Sequence, residues 1–123
     1  MQSVSEAQLE VYRQTMRRRE ALRISTLQKR VAKAQLVSQQ AADWLRQTYG
    51  VGQVWLFGSL VRPQWFTMTS DIDLAIAQLS PANYLIAIAH LQDLSPDFKI
   101  DLVQLERIPA SFSSAIITEG KRL

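Results

Sequence analysis

The chain has 123 residues and a net charge of +3, with 47% hydrophobic residues, 20% charged residues and no cysteine. That length suits one domain with a single core, and the missing thiols exclude disulfides, cysteine nucleophiles and cysteine-ligated zinc. No apolar stretch approaches the roughly 20 residues of a membrane span. The opening MQSVSEAQLEVYRQ also lacks the charged start and apolar run of a secretory leader, so the cytoplasm is the expected compartment.

No glycine or proline precedes Gly50, so nothing obliges the first 49 residues to break. Ser3 with Glu6 fits the spacing of a capping box at a helix start. Ile24, Leu27, Val31, Ala34, Ala41 and Leu45 recur at steps of three and four, with Ser38 interrupting the stripe. An earlier stripe, Leu9, Tyr12 and Met16, runs into Arg17, Arg18, Arg19 and Glu20. The pattern predicts a helical segment over residues 1–48, starting near residue 4 and either continuous or divided near 17–26. Its second half is expected to pack on the core, with Trp44, and its first half to project. This segment also holds the charge: residues 1–50 carry nine Lys and Arg against four Asp and Glu, whereas residues 51–123 carry five against seven.

Past Gly50 and Gly52 the period changes. Gln53–Phe57 reads as a buried strand ending at Gly58-Ser59, followed by a loop through Pro63 and a second strand from about Asp71 to Ala77. Ser80-Pro81 is a good cap and first-turn pair for a helix to about Gln92. A turn over 94–97, a third strand over Phe98–Gln104 and a short helix between Pro109 and Gly120 complete the order. The reading is one α/β domain over residues 1–123 with a helical N-terminal extension and no internal repeats.

Asp71 and Asp73 lie two apart on an expected strand, so their side chains share a face. Adjacent carboxylates repel and raise one another's pKa unless a positive group intervenes, and a hard divalent cation such as Mg²⁺ is the usual solution. Asp101, amid the apolar Ile100, Leu102 and Val103, is costly to bury without a partner. If its strand neighbours the second, three carboxylates converge and two metals can be held for an in-line phosphoryl displacement. Asp-x-Asp alone is weak, arising by chance about three times in ten at this composition. A Gly-Ser turn at a strand end, with eleven residues between it and Asp71, sharpens it to about one in 300. Such a turn offers close backbone approach, free N–H groups and a hydroxyl to phosphate.

Leu56-Phe57-Gly58-Ser59-Leu60-Val61-Arg62, Ser70-Asp71-Ile72-Asp73-Leu74-Ala75-Ile76 and Ile100-Asp101-Leu102-Val103 resemble the three motifs of the minimal nucleotidyltransferases, small members of the DNA polymerase beta nucleotidyltransferase superfamily. The likeness runs on through Ile108-Pro109 to Ile117-Thr118-Glu119-Gly120, covering about residues 40–123 and, more weakly, the N-terminal helix. It implies a small mixed sheet of the polymerase-beta type. It implies further that Gly58 and Ser59 grip an NTP triphosphate, that Asp71, Asp73 and Asp101 bind two Mg²⁺, and that Asp101 also helps deprotonate the attacking hydroxyl. Where the family commonly has glycine after the arginine, this chain has Pro63, then Gln64-Trp65-Phe66, which stiffens the loop. Many relatives are antitoxins that silence a helical HEPN-type RNase toxin by binding it and by moving AMP onto one of its tyrosines.

Several residues carry two readings. Arg62 is assigned to the triphosphate or pyrophosphate, against a solvated loop arginine. Lys99 shares a face with Asp101 and either pairs with it or reaches a phosphate. His90, the only histidine, reads as a surface or helix-end residue. Trp65-Phe66 either cover the nucleotide, meet a partner or pack locally. Arg17-Arg18-Arg19 read chiefly as a solvated face or a dock for an acidic protein, with nucleic acid the lesser reading. The expected function is Mg²⁺-dependent transfer of AMP or another NMP from an NTP, ATP first, to a hydroxyl of a HEPN-type partner. The alternatives are an antitoxin acting by contact alone over a vestigial site, and transfer to RNA or a small molecule. Self-association through the N-terminal helix is a further partner reading, and no membrane role is expected.

Overall fold

The first segment forms one unbroken helix, α1 (Glu6–Tyr49). The structure, a computed structural model, describes residues 3–123. The division considered near residues 17–26 does not occur. Arginine is a good helix former on an exposed face, and the Glu20 carboxylate is bridged to Arg23 one turn on at 2.6 Å. The cap is also two residues later than expected. Ser5, not Ser3, is the N-cap: its hydroxyl accepts from the Gln8 N–H at 3.2 Å, and Gln8 Oε1 accepts from the Ser5 N–H at 2.9 Å. Both pairs have capping-box spacing, and the Ser5 choice leaves Glu6 in the first turn, where the helix dipole favours a carboxylate. Gly50 ends the helix in the left-handed region (φ 67°), its N–H donating to the Arg46 carbonyl.

Only the second half of α1 reaches the core, through Ala34, Val37, Ser38, Ala41, Ala42 and Leu45. Ser38 does not interrupt that stripe. It is buried with the rest because its hydroxyl donates to the Ala34 carbonyl at 2.7 Å, which removes the cost of an unpaired polar group. Val11, Tyr12, Met16, Leu22 and Ile24 are exposed, so the first half stands clear, as the early stripe suggested.

The chain then builds a four-stranded mixed sheet from β1 (Trp55–Phe57), β2 (Ile72–Ile76), β3 (Ile100–Gln104) and β4 (Lys121–Arg122), with α2 (Pro81–Leu94) and α3 (Ala110–Glu119) between them. The spatial order is β3-β2-β1-β4; β2 and β3 are parallel, the other pairs antiparallel. The parallel pair is the one joined by a crossover helix, α2, as the geometry requires. Strands start later than expected: Asp71 lies just ahead of β2, and Phe98 and Lys99 just ahead of β3, because the ladder opens only where the Ile72 N–H donates to the Lys99 carbonyl at 3.0 Å. β4 was not foreseen, since two exposed residues show no period.

Alternation sorts the sheet into two faces. Leu56, Ile72, Leu74, Ile76, Ile100 and Leu102 pack with α1 and α2 in the main core. Trp55 and Ala75 meet Ile116 of α3 on the other face, with Phe57 and Val103 at their margin. By the same alternation Asp73 and Asp101 belong to this second face, covered by one short helix. Among the described residues no helix is long and apolar enough to cross a membrane.

Candidate active site

Phe57, Asp73 and Asp101 lie on one rung of the sheet, paired across β1, β2 and β3. The antiparallel β1 therefore ends where the parallel β2 and β3 begin. This brings the Gly58-Ser59 turn beside the two aspartates, although the motifs are far apart in sequence. Gly58 has φ 78° and ψ −157°, a conformation that side chains other than glycine's rarely permit. A Cβ there would collide with the Asp73 carboxylate oxygen and stand 3.2 Å from its Cγ. Glycine is thus required twice at this point, once by the backbone angle and once by the carboxylate behind it.

Ser59 begins a single 3₁₀ turn (Ser59–Val61), and a second (Pro63–Trp65) follows at once. Pro63 occupies the first position of that second turn, where its fixed φ is suited, so the stiffened loop is an ordered one. Trp65 and Phe66 part company: Phe66 is buried, whereas Trp65 is 59% exposed. The Arg62 guanidinium lies 4.8 Å from the Trp65 ring centroid. Gly58, Ser59, Arg62 and Trp65 line one side of an open cavity of about 570 Å³, with Phe112 and Glu119 of α3 opposite. A second concavity contains Asp73, Lys99 and Asp101 and shares Phe57 and Phe112 with the first. The two meet at the edge-to-face pair Phe57–Phe112, at 5.8 Å, which lines both.

The electrostatics follow from this placement. Burial, then the charges of Asp101 and Asp71, push the Asp73 carboxyl up to about 6, with Lys99 pulling the other way. Lys99 Nζ stands 3.6 Å from Asp101 Oδ1, which realises the ion-pair reading of that lysine. As they stand, no three His, Cys, Asp or Glu side chains among the described residues are gathered closely enough to hold a metal ion. The donor set nonetheless suits a hard cation. It is all carboxylate oxygen, two of its members are in register, and one of these, Asp73, resists ionising because of its burial and then the neighbouring carboxylates.

Two residues of α2, passed over in the sequence, hold Asp101 in place. The Tyr84 hydroxyl donates to the Leu102 carbonyl at 2.6 Å and Gln92 Nε2 to the Ile100 carbonyl at 2.5 Å. They occupy the free edge of β3 on both sides of Asp101, blocking strand addition there as well. Their eight-residue spacing on one helix face was the available signal. His90 is exposed on α2, its ring 5.4 Å from Trp44, and stands outside the groove, as expected of a surface residue.

Such a groove, with a glycine turn and carboxylates at strand openings, has the donor and acceptor types that nucleotide-transfer chemistry calls for. Residues 39–123 match the family described as polymerase beta, nucleotidyltransferase, and the chain belongs to that family of enzymes. No curated protein matches the chain in sequence. Several solved structures share the fold, among them three toxin–antitoxin complexes. A chain of a toxin–antitoxin complex with AMP-PNP is 24% identical with a TM-score of 0.59, over 69% of this chain and 70% of that one. A chain of a point mutant of the toxin–antitoxin MntA-HpeT is 26% identical with a TM-score of 0.57, over 69% of each chain. A chain of the complex of tri-AMPylated Shewanella oneidensis HEPN toxin with MNT antitoxin is 24% identical with a TM-score of 0.54, over 72% of this chain and 70% of that one.

Proposed function

We propose that this chain transfers AMP from ATP to a hydroxyl of a HEPN-type toxin, a tyrosine by the motif resemblance, and so acts as the antitoxin of the pair. The observation that carries the reading is the shared rung of Asp73 and Asp101, with Gly58 backed onto it. Support for the donor and the partner comes from the relatives: one of the similar complexes contains AMP-PNP, and another pairs an MNT antitoxin with an AMPylated HEPN toxin. An ATP-using protein without cysteine fits the cytoplasm.

Asp71, Asp73 and Asp101 would hold the divalent cations, Mg²⁺ and two in number, whose chemistry is to neutralise the carboxylates and the triphosphate. The backbone N–H groups of the Gly58-Ser59 turn and the Ser59 hydroxyl take the phosphate oxygens. Arg62, braced on Trp65, adds positive charge on the same wall. The acceptor hydroxyl gives its proton to Asp101, and its oxygen bonds to the α-phosphorus. The bond from that phosphorus to the bridging oxygen breaks, and pyrophosphate leaves. Positioning and charge neutralisation supply most of the acceleration, as is general for this chemistry.

The test is the intact mass of a co-purified HEPN-type partner after incubation with ATP and Mg²⁺. Increments of one or more AMP units are expected with the wild type and none with Asp101→Asn. Equal increments with both proteins would remove Asp101 from the reaction.

A further inference from the structure

Arg30 makes three hydrogen bonds to backbone carbonyls that lead into the two carboxylate strands. Its Nε donates to the Thr67 carbonyl at 3.3 Å, Nη2 to the Ser70 carbonyl at 3.1 Å and Nη1 to the Asp97 carbonyl at 3.3 Å. Ser70 immediately precedes Asp71, and Asp97 lies in the turn that enters β3 ahead of Asp101. The guanidinium is also packed on two buried rings, 4.5 Å from the Phe98 centroid and 5.6 Å from that of Phe66. One turn along α1, Lys33 pairs with the Asp97 carboxylate. The planar fork of an arginine donates in several fixed directions at once, which the point charge of a lysine does not reproduce.

We infer that Arg30 is a positioning residue for the active site: it ties the openings of β2 and β3 to α1 and so fixes the separation of the Asp71–Asp73 pair from Asp101. Arg30 lies outside residues 39–123, the part of the chain that matches the family, so the N-terminal helix supplies a part of the site that the family region lacks. The inference rests on the nucleotide-site reading above. Groups that orient cation-holding side chains typically contribute 10- to 100-fold to affinity or activity.

Arg30→Lys keeps the stem and the charge and is the variant least prone to unfold. It is compared with Ala41→Gly, which loosens the same helix in the core, away from the clamp. Calorimetric titration of ATP with Mn²⁺ is expected to show binding about tenfold weaker for Arg30→Lys and unchanged for Ala41→Gly, even where the latter loses more thermal stability. Amide exchange should accelerate over residues 66–72 and 97–100 in Arg30→Lys alone. Undiminished ATP affinity in Arg30→Lys, or the same loss in Ala41→Gly, overturns the inference. A wild-type protein that binds no ATP under any divalent condition overturns the site reading instead, and amide exchange then still decides whether the clamp exists.

Discussion

At the scale of single residues, the site is a balance between Gly58 and Asp73. The glycine leaves room for a carboxylate that solvent only partly reaches and that two neighbouring carboxylates repel. An unfolded aspartate ionises near pH 4, whereas Asp73 in the fold ionises at about 6. Between those values the folded chain binds the extra proton, so this residue's contribution to stability falls as pH rises through that window and stays low above it. Asp73→Asn should therefore stabilise the metal-free protein at neutral pH, by on the order of 1–2 kcal/mol after allowance for solvent screening. The gain should shrink near pH 4. Thermal melts of both proteins across pH check the sign, and a gain independent of pH would assign it to packing. If Asp73 holds a divalent cation as proposed, wild-type affinity for ATP with Mn²⁺ should rise as pH passes 6 upward, and Asp73→Asn should lose it. Residue type and spacing single out the aspartates and the Gly-Ser turn in the sequence, and the fold brings Asp73, Asp101 and Gly58 together. Arg30, Tyr84 and Gln92 were not, because each acts on backbone carbonyls, and a carbonyl leaves no mark on residue choice.

At the scale of elements, periodicity placed the long helix to within two residues at each end, and all three longer strands in the right order. It failed where a competing choice was equally good or too short to show a period. Ser3–Glu6 and Ser5–Gln8 satisfy the same capping rule, and only the structure shows which one closes. Ser38 looked like a break in the apolar stripe because its hydroxyl bond to the preceding turn is invisible in a hydropathy pattern. The helix itself divides by function. Residues up to about 22 are largely exposed, whereas Arg30, Lys33 and the small residues from Ala34 onward anchor to the sheet and its loops. Deleting residues 1–20 should leave a folded protein that binds ATP, with a melting temperature within a few degrees of the full chain. Deleting residues 1–33 removes Arg30 and Lys33 as well and should weaken ATP binding in the same direction as Arg30→Lys. Circular dichroism melts with ATP titrations separate the two truncations. Unfolding of the shorter deletion would show that the projecting half supports the core.

At the scale of the whole molecule, the groove runs from beneath α3 to the β3 edge lined by Tyr84, Ile88 and Gln92 of α2, and it opens to solvent beside Trp65 and Phe112, both exposed. Under the proposed reading the acceptor hydroxyl reaches the site from another molecule. The sequence points to that molecule only through the motif resemblance, because a partner is recognised by surface shape and charge rather than by a spacing of catalytic residues. The basic first half of α1, with Val11, Tyr12, Met16 and Leu22 exposed, is an apolar and positive surface, and contact alone through such a surface is the rival account of neutralisation. The two accounts differ in what an inactive site does in cells. Under transfer, Asp101→Asn still binds the toxin, since Asp101 lies inside the groove between carbonyls held by Tyr84 and Gln92, yet it fails to rescue growth when the toxin is induced. Under contact alone, the variant rescues as well as the wild type. The measurement is growth rescue by the two proteins at matched expression, with co-purification of the toxin confirming that binding survives. Failure of rescue with binding retained is the outcome expected, because Asp73 is held in an unfavourable charge environment that mere contact does not need.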